Sequence, residues 1–224
     1  MTEPVGWVEL FAKPIIMDVG SGGLEPPSLR SDDLSRDTAL SSRHVTMTHY
    51  RRNFIVGGRF FFTVNLAERR LRLLTEHIDA HHAAFRQTQR HHPLTIDAMV
   101  VLPDHLHAVW TLPEGDADFA TRWRLIKSTF SRSLPIGERI SDSRAAKGER
   151  GIWQRRYWEH TIRDENDFER HVDYIHINPV RQGLVPRVRD WPHSSFHRMI
   201  KLGVYPEDWA GDVSTDGGSF GERR

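Results

Sequence analysis

Cysteine is missing from all 224 residues. That excludes disulfides and thiolate-held metals, and leaves imidazole, carboxylate, amide or water as the only ligands for an ion. No run approaches the ~20 apolar residues that a membrane span needs, so no membrane partner is expected. The first residues have neither the basic flank nor the long apolar stretch of a secretory leader, and a cytoplasmic protein is the expectation. Net charge is also nearly missing, with 31 Lys and Arg against 30 Asp and Glu for a formal +1. The balance is uneven along the chain. Residues 1–46 hold four basic and seven acidic side chains, which leaves 47–224 at +4, mildly basic and compatible with nucleic acid.

The first 46 residues show neither a helical nor a strand period. They include SGGLEPPSLRSDDLSRD, the Gly, Pro, Ser and Asp mixture typical of linkers. The character changes at Met47. The expected organisation is a disordered or dispensable extension over 1–46, Met47 as the biological start, a domain over 47–200 and a tail over 201–224.

Within that domain NFIVGGRFFFTVNL (53–66) reads as two β-rich runs joined at Gly57-Gly58, a hairpin signal. Residues 68–90 place Leu71, Leu74, Ile78 and Phe85 near one helical face. LTIDAMVVL (94–102) and HLHAVWTL (105–112) are strands separated by a tight turn at Pro103-Asp104. A second helix spaces Phe119, Trp123, Ile126 and Phe130 by four, three and four residues, with Arg122, Arg124 and Lys127 as its solvent face. Residues 135–151 are polar and read as a mobile loop, and 152–163 read as a strand. A third helix starts near Asp164, a good N-cap followed by acidic residues. It runs to about Asn178, where Pro179 biases the preceding residue away from helix. Strands joined by tight turns and alternating with helices predict an α+β fold, an antiparallel sheet with helices packed on one face.

Histidine is plentiful, at 14 residues. In LPDHLHAVW (102–110) His105 and His107 share one face of a strand, because side chains alternate. Taken alone, the pair reads equally as hydrogen-bonded core histidines or as a metal half-site. The apolar flanks favour metal, since unpaired buried imidazoles are costly and two neutral rings on one face suit a divalent ion. In the third helix His171, Tyr174 and Asn178 follow at i, i+3 and i+7 on one face. An isolated helix tyrosine is ordinarily a buried aromatic. Here Asn178 has an amide oxygen to offer a metal while Tyr174, one turn away, serves as nucleophile; His171, on the same face, reads as an ordinary surface histidine rather than as a contact to the scissile phosphate, the alternative its position offers. A phenol with its pKa near ~10 is a weak nucleophile, but it becomes competent against a phosphodiester polarised by a metal.

The His105-Leu106-His107 triplet, WQRRYWEH (153–160) and HVDYIHINPVRQGLV (171–185) together resemble the REP-associated tyrosine transposases, members of the HUH superfamily of single-tyrosine transposases. The likeness runs from about Met47 to DWAGDV at 208–213. It implies a ferredoxin-like (RRM-like) sheet and metal-dependent cleavage and rejoining of single-stranded DNA at palindromic hairpins, through a 5′-phosphotyrosine and a free 3′-OH. His105 and His107 match the metal-binding pair, Tyr174 the nucleophile, and Asn178 the third ligand. Related insertion-sequence transposases carry glutamine at that last position, and its shorter replacement here must approach closer. The implied cofactor is Mg²⁺ or Mn²⁺, the implied partner single-stranded or hairpin DNA, and the implied state a monomer.

DNA contacts are read from chemistry. Arg155 and Arg156 between Trp153 and Tyr157 interleave charge with aromatics, as phosphate contact and base stacking require, or form a solvated strand face. Arg51 and Arg52, after Tyr50, form a basic arm before the first strand. The rivals are a non-cleaving RRM-like binder of structured single strands and a phosphohydrolase that uses water with Tyr174 as a structural residue.

Overall fold

The computed structural model describes residues 53–211 and Phe220. The extension 1–46 and the Tyr50-Arg51-Arg52 arm lie outside the described residues. Four strands, β1 (Arg59–Asn65), β2 (Thr95–Val101), β3 (His105–Thr111) and β4 (Trp158–Thr161), form an antiparallel sheet in the order β2-β3-β1-β4. The helices are α1 (Leu73–Glu76), α2 (Ile78–His91), α3 (Phe119–Ser133), α4 (Asp142–Ala145), α5 (Glu165–Arg181) and α6 (Phe196–Lys201), with a 3-10 turn at Val188–Asp190.

Strand alternation divides the aromatic run of β1 between two cores. Phe60, Phe62 and Val64 face α2 and α3, where Trp110 and Trp123 stack at 4.2 Å among Phe85, Phe119, Ile126 and Phe130. Phe61 faces the other way, onto Phe168, Val172, Tyr174 and Ile175 of α5. The α2–α3 pair takes one face, but the expectation that all helices pack on that face is corrected. The helix that carries Tyr174 covers the opposite face, and that is where His105 and His107 point.

Several local expectations are corrected. Residues 53–58 are not a strand: Gly57 has φ 66° and the backbone turns there, so β1 stands alone. Leu71 is exposed and lies ahead of α1. The strand over 152–163 shrinks to β4, joined by a lone bridge from Trp153 to Leu66. Arg122 is not on a solvent face. It is buried, and its guanidinium reaches the Pro93 and Asp118 carbonyls at 2.6 and 2.8 Å and Asp116 at 2.6 Å, tying α3 to the chain before β2. Lys127 donates to the Gln154 carbonyl (2.7 Å), while Arg124 is exposed as expected. The 135–151 segment folds around Arg150, which pairs with Glu138 and donates to the Leu134 and Pro135 carbonyls at 2.8 and 2.6 Å.

Helix α5 starts as expected, with Asp164 accepting from the Asp167 amide (2.8 Å). It does not stop at Asn178. Pro179 lies within its last turn, and Gly183, at φ 67°, closes the helix with the Leu184 amide on the Pro179 carbonyl (2.9 Å). Burial of Asn178 and Pro179 holds this turn against the local bias. The chain after Gly183 is not loose either. Residues 191–195 cover the free edge of β2, with His193 and Met99 carbonyls accepting from Val101 and Ser195 amides at 2.8 Å. Phe196, Tyr205 and Trp209 then pack under α5.

Burial also makes the fold acid-sensitive. Desolvation pushes His81 and His176 down to about 3 and His82 to about 4, from 6.5. Below 6.5 the unfolded chain binds protons that the folded histidines refuse, so stability falls as pH drops towards 3–4. Asp97, raised by burial to about 6, acts in the opposite sense over part of that window, one carboxyl against three imidazoles. The urea midpoint is expected to fall steadily from pH 7 to about pH 4; a flat profile would mean that these histidines ionise in the folded state.

Candidate functional site

The site lies between β3 and α5. His105 and His107 are buried on the β3 face that α5 covers, and their rings stand edge to face at 5.0 Å. Each ring is fixed through Nδ1. Asp104 Oδ1 lies 2.7 Å from His105 Nδ1, and Arg69 holds the other carboxylate oxygen at 2.7 Å. Burial alone would raise the Asp104 carboxyl, but the His105 and Arg69 contacts outweigh it and hold the group at about 2. A carboxylate in that state accepts the Nδ1 proton.

His107 is fixed from the neighbouring strand. Thr63, its β1 register partner, has Oγ1 2.9 Å from His107 Nδ1 and donates its own proton to the Phe220 carbonyl at 2.7 Å. With that proton committed, the hydroxyl oxygen accepts from Nδ1–H. Both histidines therefore keep their lone pair on Nε2, the tautomer a metal requires.

Helix α5 supplies the other half. Asn178 Nδ2 lies 3.3 Å from His107 Nε2. A half-turn of the amide exchanges nitrogen for oxygen in nearly the same place, which gives a set of two imidazole nitrogens and one amide oxygen. That set fits a divalent ion and lacks the thiolates that select softer metals. The Tyr174 ring stands 5.2 Å from His107 and is 4% exposed. The four residues singled out in the sequence, His105, His107, Tyr174 and Asn178, are thus brought together. Thr63→Val removes the bond that orients His107 and is expected to weaken divalent-ion affinity about 10- to 100-fold, measured by calorimetric titration.

Other groups at the site were not read from the sequence. Arg181 holds its guanidinium 5.3 Å from the Tyr174 ring centroid; its spacing of seven residues from Tyr174 was the available signal. The Phe220 ring stacks on Tyr174 at 3.8 Å and 15°. It covers one face of the phenol ring.

A second histidine–carboxylate group lies alongside. Among the described residues, His160, Asp167 and His171 have ligand atoms within 4.8 Å of one another. Their geometry disfavours an ion. The His160 and His171 rings are stacked at 4.7 Å and 13°, and an ion must lie in the plane of every imidazole that binds it. His171, read as a surface residue, is 5% exposed.

The arginines of 153–160 divide. Arg155 is held by Glu149 (2.8 Å) and by the Ser143 hydroxyl (3.1 Å), while Arg156 is exposed in the loop ahead of β4.

Known proteins give the arrangement its place. No family model matches the chain. A REP-associated tyrosine transposase of Escherichia coli K12 is 51% identical over 177 residues, covering 79% of this chain and 98% of that protein. The chain belongs to the REP-associated tyrosine transposases. A second relative, a putative REP-associated tyrosine transposase of Haemophilus influenzae, is 47% identical over 167 residues, covering 74% of this chain and 95% of its own length. A solved REP-associated tyrosine transposase bound to a REP hairpin superposes with a TM-score of 0.68 at 49% identity, covering 80% of this chain and 99% of its own. The antiparallel sheet of this transposase and the helices packed on it match that structure.

Proposed function

We propose that this transposase cleaves and rejoins single-stranded DNA at palindromic, REP-like hairpins. Tyr174 attacks the scissile phosphodiester, the new bond is a 5′-phosphotyrosine, and the strand upstream leaves with a free 3′-OH. The observation that carries this reading is the approach of α5 to β3: Asn178 within 3.3 Å of His107, with Tyr174 one turn earlier against the same ring. A binding module needs none of these residues. Relatives named as tyrosine transposases, and a neighbour solved on a REP hairpin, support the substrate class.

His105, His107 and Asn178 would hold Mg²⁺ or Mn²⁺, which when bound polarises a phosphoryl oxygen as a Lewis acid, a contribution of several kcal/mol. Ring contacts with His107 and Phe61 at 5.2 and 6.1 Å hold the Tyr174 ring, so little freedom is left to lose on attack. Arg181, with its guanidinium 5.3 Å from the Tyr174 ring centroid, adds a positive charge beside the proposed nucleophile. Arg51, Arg52, Arg155 and Arg156 are proposed to grip the hairpin, with Arg155 first leaving Glu149. The extension 1–46 is proposed to be dispensable and the working unit a monomer.

The test is incubation of the protein with a REP-type hairpin oligonucleotide and Mn²⁺ or Mg²⁺, followed by a denaturing gel. A protein–DNA adduct that forms only with the metal supports the reading. Cleavage without an adduct supports attack by water, and tight binding with neither supports a non-cleaving module.

A further inference from the structure

The His160–Asp167–His171 group is unused by the metal, yet it adjoins the nucleophile. Asp167 is buried at the start of α5, and its carboxylate meets both rings. Oδ2 lies 2.8 Å from His160 Nε2 and also accepts the Arg163 amide at 3.1 Å, while Oδ1 lies 3.3 Å from His171 Nδ1. His171 Nδ1 is also 2.6 Å from the Asp167 carbonyl oxygen. An oxygen that close requires a proton on Nδ1, so the neutral ring carries its lone pair on Nε2.

That lone pair belongs to the residue one helical turn before Tyr174. The two side chains share their surroundings: Phe61 lies 4.7 Å from His171 and 6.1 Å from Tyr174, and Phe220 lies 5.2 and 3.8 Å from them. The Phe220 ring is therefore a shared neighbour of phenol and imidazole. His160, stacked on His171 and 21% exposed, links the group to solvent.

We propose that His171 takes the phenolic proton of Tyr174 as the phenol attacks phosphorus, with Asp167 and His160 as positioning residues. This rests on the cleavage reading above. As the Tyr174 O–H bond breaks, its proton moves to His171 Nε2, while the Tyr174 oxygen–phosphorus bond forms and the 3′-oxygen–phosphorus bond breaks. The departing 3′-oxygen takes a proton from solvent, and the imidazolium later returns one to solvent. In rejoining, His171 reprotonated from solvent gives its proton to the departing phenolate, while the 3′-OH attacks phosphorus and releases its own proton to solvent. Asp167 stabilises the imidazolium, as a carboxylate partner does for a catalytic histidine.

The charged and titratable neighbours of His171 are His160 on β4 and Asp167, Arg170 and Tyr174 on α5. Desolvation is the largest effect on His171 and lowers it; the Asp167 bond opposes this, while His160 and Arg170 add to it. The ring is therefore neutral at pH 7, as a base must be.

The experiment measures single-turnover adduct formation on a hairpin oligonucleotide against pH, with hairpin affinity measured in parallel. For His171→Gln the rate is expected to fall ~100-fold or more, affinity to stay within about twofold, and the acid limb of the profile to vanish. Asp167→Asn should move the limb to lower pH and His160→Gln to higher pH, opposite shifts that a merely structural role would not produce. His160 is the most exposed of the three, so its variant keeps the proposal testable should His171→Gln fail to fold. An oligonucleotide with sulfur at the bridging 3′ position leaves without protonation. If it restores the His171→Gln rate, the histidine serves the leaving group and the proposal is overturned. Retention of the wild-type limb in His171→Gln, or an unmoved limb in His160→Gln, also overturns it. Failure of the wild-type protein to form any adduct would instead overturn the cleavage reading itself.

Discussion

Tyr174→Phe is expected to abolish the protein–DNA adduct, with a loss of roughly 10⁴-fold or more, as for removal of other enzymatic nucleophiles. The change deletes one oxygen and keeps the ring. The contacts with His107, Phe61 and Phe220 at 5.2, 6.1 and 3.8 Å are ring contacts and survive it. Folding and hairpin affinity should therefore be unchanged, which isolates the chemistry. The chain has four tyrosines, so substitution of Tyr50, Tyr157 or Tyr205 is the matching control. An adduct that persisted in Tyr174→Phe would assign the nucleophile elsewhere.

Removing either imidazole is expected to be nearly as severe. His105→Ala or His107→Ala should slow cleavage by roughly 10² to 10³-fold, because Lewis-acid assistance is worth several kcal/mol and each ~1.4 kcal/mol is tenfold in rate. Hairpin affinity should change by less than about threefold, since phosphate contacts from arginine and lysine supply most of the binding. His105→Ala is the cleaner variant. His107 is fully buried and bonded to Thr63, so its removal also leaves a cavity and takes away the N–H that the Thr63 oxygen accepts. A chelator should reproduce the loss in the wild-type protein. Equal loss of cleavage and binding would mark the histidines as structural.

The four residues that the structure brings together were legible because each lies in a strongly periodic element. Alternation along β3 put His105 and His107 on one face, and helical spacing put Tyr174 and Asn178 on another. What alternation could not reveal was that α5 covers the sheet face opposite α2 and α3; nothing local to 164–178 distinguishes the two faces. The groups that orient the site were hidden for the same reason. Thr63 meets His107 only through the β1–β3 register, and Phe220 arrives from 157 residues away in sequence. Asp104 was visible beside His105, but its role depends on a turn that aims the carboxylate back at the ring. Arg122 was misread because its place on α3 gave no hint of the carbonyls of 93 and 118 and of Asp116, which together bury a guanidinium. Pro179 was read as a stop, and tertiary burial of the last turn overrode that local bias.

The central claim is that Tyr174 joins DNA through its phenolic oxygen. Tandem mass spectrometry of the purified adduct, after nuclease and trypsin digestion, tests it most directly. Cleavage after Arg170 and Arg181 yields HVDYIHINPVR, with Tyr174 as its single tyrosine. The expected result is a nucleotide joined through its 5′-phosphate to Tyr174 in that peptide. A phosphate on Tyr50, Tyr157 or Tyr205, or cleaved DNA with no modified peptide, would contradict it.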